Sequence, residues 1–273
     1  SYALCVLQGE VFMAFYQVMR DVMVNALLSV QGLVKSFGAL RASDDISLDV
    51  FPGEIHALIG PNGAGKTTAI NQLSGEMQPD KGRIIFNGQD VTRFSVDKRA
   101  RLGLVRSYQI TSIFPDFTAL DNVAMAVQST QGHNFKFWKK ARSDLSIINP
   151  AMEILNQVEL SHLAGTVSGE LAHGQQRQLE LAMGLATHPK MLLLDEPMAG
   201  MGVEETQRMT DILLPLKNEL SILLVEHDMD VIFALADRIT VLVLGKPIAT
   251  DTPENIRKNI QVRAAYLGDT AEI

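Results

Sequence analysis

The sequence has one cysteine, Cys5, so no disulfide can close within the chain. That fits a reducing compartment without requiring one. It also lacks any run near the roughly 18 apolar residues that a membrane-spanning helix needs. The nearest stretch, SYALCVLQGEVFMAFYQVMRDVMVNALLSV, is interrupted by Glu10, Arg20 and Asp21. No basic segment precedes its apolar part, as a signal peptide would require. We read residues 1–24 as an extension outside the core; the alternative, an amphipathic helix on a membrane surface, has too few basic residues. Basic charge is scarce overall. There are 24 Lys and Arg against 31 Asp and Glu, a net charge of −7, which argues against a nucleic-acid partner. Internal repeats and low-complexity segments are absent. What remains is ordinary globular composition, 47% hydrophobic and 20% charged over 273 residues, enough to bury a sizeable core.

Apolar runs alternate with helical patterns, which predicts an α/β fold. EIHALIG (Glu54 to Gly60), MLLLD (Met191 to Asp195), SILLVEH (Ser221 to His227) and RITVLVLG (Arg238 to Gly245) are the strongest strand candidates. Their continuous apolar stretches suit parallel strands covered on both faces. LSVQGLVKSF and DISLDVFPGE alternate instead and predict an antiparallel edge layer. From about residue 112 to 187 the pattern is mostly helical, with a polar interruption at QSTQGHNFKFWKKARSD, so a helical subdomain is expected as an insert. NFKFWKKAR is basic and aromatic; it reads as a solvated face with its aromatics packed inward, or as a surface leaning towards a membrane. TPENIRKNIQVRAAYLG predicts a helix starting at Pro253, with Thr252 as N-cap. The core is expected over residues 25–268, with 269–273 as a tail.

GPNGAGKTT, Gly60 to Thr68, follows a strand candidate and opens a helix candidate. It fits G-x-x-x-x-G-K-[ST] in the context that phosphate-binding loop requires. Gly60, Gly63 and Gly65 let successive backbone N–H groups turn towards phosphate oxygens, and the helix N-terminus adds its dipole. Lys66 is placed to reach the β- and γ-phosphates, and Thr67 to ligate Mg²⁺. Asp195 ends a buried strand and is placed to hold Mg²⁺ through water. Glu196, pointing the other way along the strand, is the candidate general base for an attacking water. His227 ends the next strand and could fix that water on the γ-phosphate. Gln109, in VRSYQITSIFP, reads as a polar loop residue or as a γ-phosphate and Mg²⁺ sensor.

In their order these motifs resemble the nucleotide-binding subunit of an ABC transporter, over about residues 27–268. The resemblance implies a P-loop NTPase core with a parallel sheet, an antiparallel β layer and an inserted helical subdomain. It makes Gly60, Pro61, Asn62, Gly63, Ala64, Gly65, Lys66, Thr67 and Thr68 the Walker A loop, Gln109 the Q-loop, Asp195 the end of Walker B and His227 the H-loop. ATP and Mg²⁺ are the implied cofactors, and Phe37 the ring that stacks on adenine. ELAHGQQRQLE then becomes the signature, with Ala172, His173, Gly174 and Gln175 serving a partner's ATP in a head-to-tail dimer. SFGALRASDDISLDVFPGEIHALIGPNGAGKTT, RSYQITSIFPDFTALDNV, EPMAG and the closing YLG are similar to the branched-chain amino acid importer group. The implied partners are membrane permeases, docking near Phe114 and Pro115, and indirectly an extracytoplasmic solute-binding protein. The implied place is the cytoplasmic face of the inner membrane. Alternatives are an importer of urea, amides or another solute, and a soluble ABC ATPase.

Two departures stand out. Ala172 replaces the signature serine, and Gly202 stands after Walker B where many relatives carry Asp or Asn. Both concern groups offered to the partner, whereas Lys66, Thr67, Gln109, Asp195, Glu196 and His227 are all present. This suggests a weaker contact lent to the neighbour, and a second, unlike ATPase subunit as that neighbour.

Overall fold

The computed structural model describes residues 26–107, 113–130 and 144–267. The extension, Gln109, NFKFWKKAR and Gly268 therefore lie outside the described residues. Strands β1 (Leu28–Phe37), β2 (Leu40–Val50), β4 (Lys81–Phe86) and β5 (Gln89–Asp90) form an antiparallel sheet in the order β2-β1-β4-β5. A second sheet runs β10-β9-β3-β8-β7-β6. It comprises β3 (Ile55–Ile59), β6 (Leu104–Ser107), β7 (Met191–Asp195), β8 (Ser221–Val225), β9 (Arg238–Val243) and β10 (Lys246–Asp251). β3, β6, β7, β8 and β9 pair in parallel; β10 returns antiparallel as a hairpin. Every residue of β3, β7 and β8 is buried, the consequence of apolar runs covered on both faces.

Helix α1 (Lys66–Ser74) leaves β3 through the glycine loop, and α2 (Val96–Arg101) precedes β6. Then come α3 (Ala119–Thr130), α4 (Leu145–Gln157) and α5 (His173–Leu185), which pack on one another between β6 and β7. Beyond β7, α6 (Val203–Leu216) leads to β8 and α7 (Met229–Leu235) to β9. One continuous core joins α3, α4 and α5 to Leu192, Leu194, Ile222 and Leu224 on one face of the parallel sheet. A separate core lies between the other face and the antiparallel layer, with Leu28, Val30, Ile84 and Phe86 against Leu193 and Leu223.

The expected C-terminal helix is two helices, α8 (Pro253–Lys258) and α9 (Ile260–Leu267). Asn259 breaks the run because its Oδ1 accepts from Gln261 N at 2.9 Å and Val262 N at 3.2 Å, a local cap that starts a new helix. Thr252 does stand at the first N-cap, but its side chain makes no cap hydrogen bond; its own N–H donates to Asp251 Oδ1 at 2.7 Å.

Candidate functional site

The glycine loop is shaped by close backbone approach. A Cβ on Gly65, at φ 99°, would stand 2.2 Å from the Ala42 carbonyl oxygen; one on Gly60 would stand 2.2 Å from that of Leu242. Only glycine fits at either point. Gly65 caps α1 without a side-chain hydrogen bond, and the first turn carries no acidic residue, so α1 itself supplies no side chain to satisfy its first amides. Lys66 is buried, and its Nζ donates to Gly60 O at 2.6 Å and Pro61 O at 3.3 Å. Burial lowers its pKa, with Glu196 and Asp195 acting in opposition.

β7 ends at Asp195, buried beside α1. Its Oδ2 accepts from Arg106 Nη2 at 2.8 Å. Burial raises the Asp195 pKa, and Arg106 works against that rise. Glu196 lies beyond the strand. Its φ is +50°, and its N–H continues the ladder onto Val225 O at 2.8 Å. Glu196 therefore stands outside the strand in a left-handed conformation, so strand alternation does not set its direction. For a non-glycine residue that conformation is held only by its surroundings. His227 Nδ1 stands 3.9 Å from Glu196 Oε1, and its ring is largely exposed.

Two charged residues had no motif to announce them. Arg106 is one. The other is Glu226, 1% exposed, whose Oε1 accepts from Met198 N at 3.0 Å and whose Oε2 accepts from His227 N at 3.1 Å. Glu226 therefore braces the loop that follows Glu196 against the backbone of His227. Burial raises its pKa, opposed by those backbone donors. An acid within an otherwise apolar strand end was the available signal.

The LAHGQ stretch opens α5. Ala172 is the N-cap, and its N–H donates to Gln175 Oε1 at 3.0 Å. The reciprocal bond that a serine hydroxyl would make is absent from this cap. Gly174 is buried against Glu205: a Cβ there would stand 2.6 Å from Glu205 Oε1, while Oε2 accepts from Gly202 N at 3.1 Å. The residue after Gly202 begins α6, and Gly200 packs on the His173 ring.

Phe37 ends β1 half exposed, its ring 5.9 Å from Lys35 Nζ. Phe114, also half exposed, meets Phe117 edge to face at 5.8 Å. Buried Asn122 clasps this loop. Its Oδ1 accepts from Phe114 N, and its Nδ2 donates to Phe114 O and to Ser168 Oγ at 2.8 Å. Pro115 O accepts from Gly169 N at 2.9 Å, so the loop is bonded to the turn that leads into α5.

Lys66, Asp195, Glu196 and His227 therefore gather at the carboxyl end of one parallel sheet, where α/β folds bind their ligands. The sequence pattern described as ABC transporter matches residues 43–199. The high-affinity branched-chain amino acid transport ATP-binding protein BraF of Pseudomonas aeruginosa is 38% identical over 254 residues, covering 90% of this chain and 100% of its own. LivG of Escherichia coli, with the same description, matches equally over the same lengths. Among solved structures, a nucleotide-free ATP-binding cassette from an ABC transporter superposes with a TM-score of 0.79 at 29% identity, covering 90% of this chain and 100% of that one. An ATP-binding cassette in its ADP conformation gives 0.79 at 28% identity, with the same coverage. The chain belongs to the ABC transporter family, as an ATP-hydrolysing cassette.

Proposed function

We propose that this chain energises uptake of branched-chain or related amino acids as the ATPase subunit of a membrane importer. The observation that carries the reading is the shared sheet edge: a buried lysine in a glycine loop, beside two acids and a histidine. The names of BraF and LivG support the cargo. Lys66 and the amide end of α1 bind the phosphates, Phe37 stacks on the base, and Glu196 takes the proton of the attacking water while His227 orients it. The donors fit Mg²⁺. Thr67 is exposed at the start of α1, and the Asp195 carboxylate accepts a hydrogen bond at Oδ2 from Arg106 while Oδ1 accepts none among the described residues. That suits a metal held by one carboxylate, a hydroxyl, water and substrate phosphates. When bound, Mg²⁺ supplies charge neutralisation at the phosphates.

The described residues include no helix long and apolar enough to cross a membrane. Residues 113–118 are the docking surface for the importer's permeases, given the exposed Phe114 and the bonds that join this loop to the approach to α5. The test is ATP hydrolysis by the chain alone and with membranes carrying its co-purified permeases. The expected result is stimulation by the membranes and by a loaded amino-acid-binding protein. Turnover indifferent to both would sink the importer reading.

The neighbour across the dimer is a different ATPase subunit. Ala172 offers no hydroxyl to a γ-phosphate, a loss of about 1.5–3 kcal/mol against a charged partner. Ala172→Ser is therefore expected to leave ATP binding to the monomer unchanged and to strengthen ATP-dependent dimer closure by roughly tenfold or more. Sedimentation with hydrolysis arrested measures it. Full hydrolysis by a homodimer of the purified chain would overturn the unlike-partner reading.

A further inference from the structure

Arg106, like Glu226, is a charged side chain at this sheet edge that no motif of the sequence assigns. It is the third residue of β6, the edge strand beside β7, in register with Leu193. Its side chain is 6% exposed. Nη2 donates to Asp195 Oδ2 at 2.8 Å, while Nη1 donates to Asn71 Oδ1 and Glu76 Oε2, each at 2.6 Å. Asn71 follows Thr67 by one turn of α1, so the two share a helix face. The guanidinium therefore ties the helix that carries Lys66 and Thr67 to the carboxylate that ends β7.

The geometry at Asp195 is one-sided. Oδ2 is taken by Arg106, and Oδ1 accepts no hydrogen bond among the described residues. A planar guanidinium bonded to three partners is a rigid fork, and it fixes the plane of the carboxylate it holds. Its hold on Oδ2 does not compete for Oδ1. Without it, a buried carboxylate would lose its hydrogen-bonding side chain and face Glu76 with no cation between them.

We propose that Arg106 is a positioning residue for the metal half of the site, orienting Asp195 so that Oδ1 stays available to the Mg²⁺ of Mg–ATP. This rests on the reading of Mg–ATP as substrate. The hydrogen bonds of Arg106 go to Asn71, Glu76 and Asp195, so its action on the metal runs through Asp195. A structural clamp between α1 and the sheet would make the same contacts, but it would affect ATP binding with and without metal alike. The proposal predicts an effect only on the coupling between the two.

The experiment measures binding of a fluorescent ATP analogue to the full-length chain, once in EDTA and once in saturating Mg²⁺, and takes the ratio of the two dissociation constants. In the unaltered chain the ratio reports how far Mg²⁺ tightens nucleotide binding. Arg106→Met is expected to shrink that gain by about tenfold, with affinity in EDTA unchanged, as for loss of a residue that orients a metal-binding carboxylate. Arg106→Lys keeps the charge and a single donor, and is expected to fall between the two. If Arg106→Met does not fold, Arg106→Lys decides by the same ratio. An unchanged gain in a folded variant overturns the proposal, and so does an equal loss of affinity in EDTA and in Mg²⁺. If the unaltered chain binds nucleotide but gains nothing from Mg²⁺, the Mg–ATP reading falls and this inference with it.

Discussion

Replacing Glu196 with glutamine is expected to lower ATP turnover by roughly 10²–10⁴-fold while ATP stays bound, the range expected for loss of a positioned general base. The surroundings of Glu196 explain why the change should be so selective. The side chain is partly exposed at the end of β7, and His227 Nδ1 stands 3.9 Å away. Glutamine has the same shape and keeps the left-handed backbone and its N–H bond to Val225 O. It cannot take a proton from water. On the proposed reading the phosphates are held by the glycine loop and Lys66, so affinity should be preserved. Single-turnover hydrolysis and nucleotide retention after gel filtration are the two measurements. Turnover within a fewfold of the unaltered chain would remove Glu196 as the base. Loss of ATP binding would show that it contributes to the ground state instead.

Much of this site was readable because its parts are local in sequence. The glycine loop needs nine consecutive residues and one turn of helix, and those dictate its backbone directly. The buried strands announced themselves by continuous apolar runs, and their order at the sheet edge brought Asp195, Glu196 and His227 together. The residues that brace them were not readable. Arg106 meets Asn71 and Asp195 across separations of 35 and 89 residues. No periodicity carries that information. Glu226 reads as an ordinary acid beside a histidine until its burial is known, and only then do its bonds to Met198 and His227 backbone acquire meaning. The strand-alternation argument for opposed acids does not apply, since Glu196 stands outside β7 in a left-handed conformation. At the C-terminus, Asn259 looked like any polar residue of a helix, and its cap overrode the continuous pattern. Sequence reasoning thus found the groups that gather at the carboxyl end of the parallel sheet. It missed those that hold them in place over long distances.

Lys66→Met is expected to weaken ATP binding by roughly 10²–10³-fold, about 3–4 kcal/mol, as two charge-assisted contacts to phosphate are lost. Its effect on the fold should run the other way. The Lys66 ammonium is buried, and among the described residues its hydrogen bonds go to the Gly60 and Pro61 carbonyls. Burial depresses its pKa more than Glu196 and Asp195 restore it. A basic group with a lower pKa in the folded state than in the unfolded one destabilises the fold while it is charged. That penalty is full at pH values below the folded pKa and disappears as pH rises to the ordinary lysine range. Methionine fills similar volume without the charge, so the nucleotide-free variant is expected to melt at or above the temperature of the unaltered chain near neutral pH. The difference should narrow towards high pH. ATP, by contrast, should raise the melting temperature of the unaltered chain and leave that of the variant nearly still, because stabilisation by a ligand follows its affinity for the folded state. Thermal melts with and without ATP across pH read both effects together. A variant that melts far below the unaltered chain would show that the lysine supports the fold rather than straining it. Undiminished stabilisation by ATP would show that the phosphates are held by the loop amides alone.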